Sequence, residues 1–412
     1  MKPSTPFPSY LFITVLTLGT GIYLERKVAL LLGDSCLLTL ILDPLHLGIA
    51  SLFFTIIAFL LMHKSEWAAN ITLSLSVLLF GMTIMCFHDY KEARSPSADD
   101  TVLTHFVTMQ RQRLATIYET QGLHGDEKAV VTAMTLGDKS EVSHPLRQDY
   151  SRSSASHVFA LSGLHVGIIF AFLAYFLPRK RYPVVTACLI VTVIWLYTML
   201  VGCRPSIIRA AIMISIYTLI PLTGRRPTAI STVLTTALIV LIAKPVWLFD
   251  IGFQMSFSAV LSIVVFYQHL YNPGLLTYKR TKYWKDVPDE PFYRNPNFSL
   301  KNTIIDASLA PLRWVYGISV VSMTAQVAVE PFIAYYFGTM CPWFLLTNCV
   351  VSPCVLIIIP IAIVTLLLGS LETYLPFLEL PLSICVFVLH HVTHFLNCSI
   401  SWIASLPGNI CV

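Results

Sequence analysis

The chain has 412 residues, 56% of them hydrophobic and 12% charged, with a formal net charge of +5. A soluble domain carries about 25% charged residues. Half that share, spread around long apolar runs at a mean hydropathy of +0.72, excludes a soluble globular protein. It implies an all-α polytopic integral membrane protein, with about 10–12 transmembrane helices, some of them broken or re-entrant.

In the first block, residues 1–88, apolar runs cover Tyr10–Leu24, Leu45–Met62 and Trp67–Phe87. The first follows a weakly basic start at Lys2 and precedes no A-x-A-like site, so it reads as a retained helix rather than a cleaved signal peptide. Val28–Leu42 is apolar but interrupted by Gly33, Asp34 and Ser35; it fits a short helix, a re-entrant piece or a further span. The second block, 89–156, mixes charges of both signs after a linker at Ser95-Pro96-Ser97. Residues 101–121 and 126–137 carry helical patterning, and Gly137 fits a helix end. This block reads as a soluble or surface-lying, extracytoplasmic amphipathic region.

The third block, 157–412, returns to membrane composition. Spans are expected near 157–177, 184–202, 207–223, 228–243, 247–267, 304–324, 343–369 and 382–405. Ala325–Phe337, which holds Gln326, Glu330 and Pro331, is expected to be a half-helix or re-entrant segment. Basic clusters at Arg179-Lys180-Arg181, Arg225-Arg226 and Tyr278–Lys285 fall in alternate loops, which makes their side cytoplasmic. The C-terminus then lies outside. The loop Ser370–Pro381 fits this scheme poorly, because it carries Glu372 and Glu379 but no Lys or Arg.

Polar groups are costly in hydrocarbon, so those inside apolar runs draw attention. His157 to Gly167 sets His157, Ser162, Gly163 and His165 at the start of a span. Ser162 with a histidine base would suit an intramembrane hydrolase. The Gly-x-Ser-Gly of rhomboid-type proteases is absent, and a histidine three residues away is the wrong partner. Helix packing and a polar lining are the other readings. Zinc between His157 and His165 fails on spacing, since eight residues rise roughly 12 Å. His390 and His394 share a helix face, but no H-E-x-x-H accompanies them; a lumenal or interfacial histidine cluster is the stronger reading. The ten cysteines lie singly, without C-x-x-C, as small hydrophobes.

Arg204 and Arg209 flank a Pro-Ser step between spans. They suit phosphate binding, or simply reach the outer headgroups. Gln254 and Ser256 fit interhelical hydrogen bonding; with Gln326, Glu330-Pro331 and Asn348…Pro353 they also fit a transport site of discontinuous helices. In Tyr278–Lys285, basic and aromatic residues alternate, as in nucleic-acid sites and in ordinary membrane-surface loops.

The series Leu136-Gly137-Asp138, His157…Ala160-Leu161-Ser162-Gly163-Leu164-His165-Val166-Gly167, Gly202…Arg204…Arg209-Ala210…Met213, Gly224-Arg225, Pro245…Gly252-Phe253-Gln254-Met255-Ser256-Phe257, Gln326…Pro331, Asn348…Pro353 and Trp402…Leu406-Pro407 resembles the membrane domain of ComEC-type competence proteins. The resemblance covers about 110–407 and implies a channel in the cell inner membrane that passes single-stranded DNA into the cytoplasm during natural transformation. Long members add an OB-fold-like module and a metallo-β-lactamase-like module. Residues 88–108 are too few for the first, and no H-x-H-x-D-H motif is present for the second. A separate DNA receptor and nuclease are therefore expected as partners. So is a cytoplasmic motor, since no Walker-type motif occurs, and a homo-oligomer is possible. No cofactor, metal or catalytic residue is implied. On this resemblance Arg204 and Arg209 supply a positive path, and His157, Ser162, Gly163, His165, Gln254, Ser256, Gln326 and Asn348 a polar lining. A shortened relative that moves another anionic polymer, or only assembles with partners, is the alternative.

Overall fold

The computed structural model describes residues 9–32, 44–61, 66–94, 102–159, 161–178, 181–225, 227–271, 300–337, 339–340, 343–372, 375–407 and 410–411. The Ser95-Pro96-Ser97 linker, the part of Val28–Leu42 beyond Leu32 and the loop Tyr278–Lys285 lie outside the described residues. The first helices are α1 (Ser9–Leu32), α2 (Pro44–Leu61), α3 (Glu66–Arg94) and α4 (Val102–Thr120). Then come α5 (Gly125–Thr135), α6 (His144–Arg152), α7 (Ser156–Phe159), α8 (Gly163–Phe176), α9 (Pro183–Leu200), α10 (Pro205–Leu219) and α11 (Ala229–Ala243). The last are α12 (Ile251–Leu270), α13 (Leu300–Phe337), α14 (Phe344–Glu372) and α15 (Glu379–Ala404). Two-residue strands β1 (Thr339–Met340) and β2 (Ile410–Cys411) pair antiparallel.

The protein is an all-α polytopic membrane protein. Among the described residues, six helices are long and apolar enough to cross a membrane: those at Ala68–Asp89, Pro183–Leu200, Pro205–Thr223, Trp314–Tyr336, Phe344–Glu372 and Glu379–Ala404. Four shorter apolar helices accompany them. The chain folds as two compact units, Met1–Thr116 with Leu161–Phe257, and Ile117–Ala160 with Ser258–Val412.

In the first unit, α3 packs against α1 and α2. Gly21 and Gly81 allow it: a Cβ on Gly21 would collide with the Leu78 carbonyl, and one on Gly81 with the Leu18 carbonyl. Small residues are how membrane helices approach closely, because lipid gives no hydrophobic drive between them. The core joins Leu18 and Ile22 of α1, Met85 of α3, Val240 and Leu241 of α11, and Phe253 of α12.

In the second unit, α14 pairs with α15, and α5 packs on both. Every residue of α5 from Lys128 to Thr135 is buried. The stretch is thus packed inside its unit. Ala129, Val130, Val131, Ala133 and Met134 lie around the whole helix rather than along one stripe, and a helix apolar all round is buried. Tyr118 Oη donates to the Ala362 carbonyl at 3.2 Å, and Tyr150 Oη to Asn397 Oδ1 at 2.8 Å. The segment is thereby tied to both long helices.

Two expected breaks are absent. α13 runs unbroken through Ala325–Phe337, and α14 runs through Pro353 and Pro360. A proline removes a single N–H, whereas interrupting the helix in lipid would strand several carbonyls. In α13 the Gln326 amide donates to Glu330 one turn later, so these polar groups satisfy each other within the helix.

Candidate functional site

The first unit brings the starts of three helices together. Ser162 has extended backbone (φ −112°, ψ 169°) and caps α8. Its Oγ accepts from Leu164 N–H at 3.2 Å and lies 2.9 Å from His165 Nδ1. Nδ1 in turn accepts the Ser162 N–H at 3.2 Å. This is a capping box in which histidine takes the place usually held by Glu or Gln. Because Nδ1 accepts, the neutral ring carries its proton on Nε2. Three residues' separation argued against His165 as a base for Ser162, yet the two side chains do touch. The contact belongs to the cap, whose donors and acceptors it uses. His165 is buried and Gly163 exposed, and a Cβ on Gly163 would sit 3.5 Å from Ala210 Cβ on α10.

The turn before α10 is held by its backbone. Gly202 has φ 87° and Cys203 φ 50°. A side chain at Gly202 would meet the Arg111 guanidinium, which donates to the Leu200 carbonyl at 2.6 Å. Arg204 is the N-cap residue of α10 and is half-buried; Pro205 follows in the first turn, where its missing N–H costs nothing. Ser206 Oγ donates to the Leu161 carbonyl at 2.7 Å and locks α10 to the chain entering α8.

Arg209 then links α10 to α12. Its Nη2 donates to the Gly252 carbonyl at 2.8 Å, and its guanidinium lies 5.9 Å from the centre of the Phe253 ring. Only 1% of the residue is exposed, and Nε and Nη1 have no hydrogen-bond partner among the described residues. The Asp250 carboxylate offsets part of its charge. Asp250 Oδ2 also accepts the Phe253 N–H at 2.8 Å, and Gln254 Nε2 donates to the Leu248 carbonyl at 3.0 Å. Ser256 is half-buried on α12. The starts of α8, α10 and α12 thus share one neighbourhood. Helix N-termini carry partial positive charge and free N–H groups, so the neighbourhood favours an anion.

Of the residues singled out in the sequence, this neighbourhood holds Ser162, Gly163, His165, Arg204, Arg209 and Gln254. His157, Gln326 and Asn348 belong to the second unit. His157 Nδ1 donates to the Ser154 carbonyl at 3.0 Å, and Asn348 is half-buried beside Thr347, whose Oγ1 donates to the Ser153 carbonyl at 2.7 Å. Arg111, Ser206 and Asp250 were not foreseen as site residues. Asp250 was legible in principle, as an acid three residues ahead of Phe253 where an apolar helix begins. Arg111 was not, because its partner lies 89 positions away.

The second unit has its own charged cluster. Lys128 is 8% exposed and donates to Glu119 Oε2 at 2.7 Å and to Glu141 Oε1 at 3.0 Å. The hydrogen bond from Lys128 holds the Glu119 carboxyl below its ordinary pKa, and the same bond raises the ammonium's. His394 Nδ1 lies 3.0 Å from Glu127 Oε1, with Cys398 Sγ 3.5 Å from Nε2. Among the described residues, no three His, Cys, Asp or Glu side chains are placed to hold a metal ion.

A chain of span-length helices with capped helix starts gathered in one unit defines a multi-pass membrane protein. A family model described as Competence protein matches residues 134–412, and the chain belongs to that family. It is 34% identical over 157 residues to ComE operon protein 3 of Bacillus subtilis (strain 168), covering 37% of this chain and 20% of that protein. It is 30% identical over 139 residues to an uncharacterized protein of Aquifex aeolicus (strain VF5), covering 34% of this chain and 33% of that one. The matched regions thus span a third or less of these relatives. No solved structure matches.

Proposed function

We propose that this protein is a cytoplasmic-membrane channel that passes single-stranded DNA into the cell during natural transformation. Membership of the Competence protein family and the likeness to ComE operon protein 3 support the DNA-uptake setting. The observation that carries the reading is the gathering of the α8, α10 and α12 starts around Arg209. A strand bearing one negative charge per phosphate needs a path of positive potential through a low-dielectric slab. Helix N-termini supply such potential without placing a mobile charge in lipid.

On this reading the half-buried Arg204 meets phosphates. Arg209, which is enclosed, fixes the geometry of α12 instead. The channel works with a separate DNA receptor, a nuclease and a cytoplasmic motor, and its C-terminus faces outward. The test is transformation frequency with labelled DNA after deletion of the gene, and after Arg204→Ala at normal protein level. Loss in the deletion and a severalfold fall in the variant are expected. Unaltered uptake in the deletion strain refutes the channel; unaltered uptake in the variant alone removes Arg204 from the path.

A further inference from the structure

In the second unit, three tyrosines form one tier. Tyr267 and Tyr271 sit one turn apart at the end of α12, with ring centres 5.1 Å apart and planes inclined by 12°. Tyr316 of α13 continues the tier, its ring centre 5.4 Å from Tyr271 at 26°. The Tyr316 hydroxyl donates to the Leu270 carbonyl at 3.2 Å, which fixes the outer ring. Gly317 leaves room beside it; a Cβ there would sit 3.8 Å from Tyr271 Cε2. All three rings are half-buried, so each keeps some surface open.

Some aromatic pairs lie edge to face, such as Phe170 with Tyr217 at 86° and Tyr335 with Tyr336 at 84°, and others stack only as a pair, such as Tyr23 with Phe249 at 29°. Edge-to-face packing fills space and satisfies the ring quadrupoles. A parallel tier leaves a flat face at its end, which another flat ring can extend. The sequence that follows Tyr271 carries Lys279, Arg280, Lys282 and Lys285, a basic stretch that the positive-inside rule assigns to the cytoplasmic side. Aromatic faces combined with positive charge bind single-stranded nucleic acid without regard to sequence, since every base has a π-face; here the basic residues are placed by sequence alone.

We infer that Tyr267, Tyr271 and Tyr316 form a stacking platform for the bases of single-stranded DNA at the cytoplasmic end of α12 and α13. The inference rests on the channel reading and adds a contact to bases where that reading has contacts to phosphates only. Tyrosines at a lipid interface can also act as anchors, so the experiment separates bases from lipid. The full-length protein, purified in detergent, is titrated with a fluorescent oligothymidine and with an abasic strand of equal length. The paired changes Tyr267→Leu with Tyr271→Leu, and Tyr267→Phe with Tyr271→Phe, are compared with the unaltered chain.

Loss of a stacked base weakens binding roughly fivefold to a hundredfold. The leucine pair is therefore expected to weaken oligothymidine binding by at least about fivefold and to leave the abasic strand unaffected, while the phenylalanine pair keeps both. Equal oligothymidine binding by the leucine pair and the unaltered chain overturns the platform and leaves the channel standing. So does a parallel loss for both strands, which marks a folding or lipid-anchoring defect. Failure of the unaltered chain to bind either strand overturns both readings.

Discussion

Replacing Ser162 by asparagine separates a capping role from a nucleophilic one. As a cap, Ser162 offers an acceptor to Leu164 N–H at 3.2 Å and a contact to His165 Nδ1 at 2.9 Å. Alanine removes both. Losing a capping side chain costs roughly 0.5–2 kcal/mol, typically about 1. The upper half of that range applies here, because His165 is 2% exposed and no bulk water reaches it to replace the lost contact. Asparagine caps about as well as serine, so the Ser162→Asn cost should be a few tenths of a kcal/mol. The assay is the thermal unfolding midpoint of the purified protein, read beside transformation frequency per folded molecule. Ser162→Ala should lower the midpoint, Ser162→Asn should recover most of it, and uptake per folded molecule should be the same in all three. If both variants fold normally yet lose activity together, the hydroxyl does chemistry and the capping argument fails. An unmoved midpoint in Ser162→Ala would show that the cap contributes nothing.

Arg209 and Asp250 should be energetically coupled. Arg209→Met and Asp250→Ala are expected to fall short of additivity by about 0.5–3 kcal/mol in a double-mutant cycle, and strict additivity would deny their interaction. Gly202→Ala places a side chain at φ 87° and against Arg111, so it should cost at least about 1 kcal/mol in the unfolding midpoint. The Lys128 cluster predicts an acid step. Glu119 has its pKa lowered in the fold, so its stabilisation is fully present above the ordinary carboxyl value of 4.5 and is lost as pH falls through the folded value. Lys128→Met should lower the midpoint at neutral pH and flatten its fall below about pH 4.5; an unchanged acid profile would exclude the pair as its source.

The long apolar runs were legible because lipid admits few alternatives to a helix. α9, α11 and α12 begin and end within a few residues of the expected spans at 184–202, 228–243 and 247–267. The helices expected at 101–121 and 126–137 also appear, as α4 and α5. What the pattern could not show was where α5 packs. Charges at Lys128, Glu119 and Glu141 read as a water-facing surface, but they are mutual partners, and their pairing lets a buried helix carry a lysine. Pairing across nine or thirteen positions leaves no periodic trace.

Polar residues inside apolar runs fitted helix packing, interhelical hydrogen bonding or broken helices alike, and their partners show which of them mark a break. Where the chain does break, the polar residue stands three positions ahead of its partner. Ser162 meets His165, Thr228 meets Ser231, and Asp250 meets the Phe253 N–H. At that spacing the first residue lies outside the helix and satisfies N–H groups that the helix cannot. Where the chain continues, the polar side chain bonds within its own helix, three or four residues away. Gln326 meets Glu330, and Thr324 and Thr365 return their hydroxyls to Val320 and Ile361. Those groups are already helical and need only a neighbour one turn away. The same physical demand, that no polar group be left unsatisfied in lipid, therefore opens the chain at Ser162 and keeps it closed at Gln326.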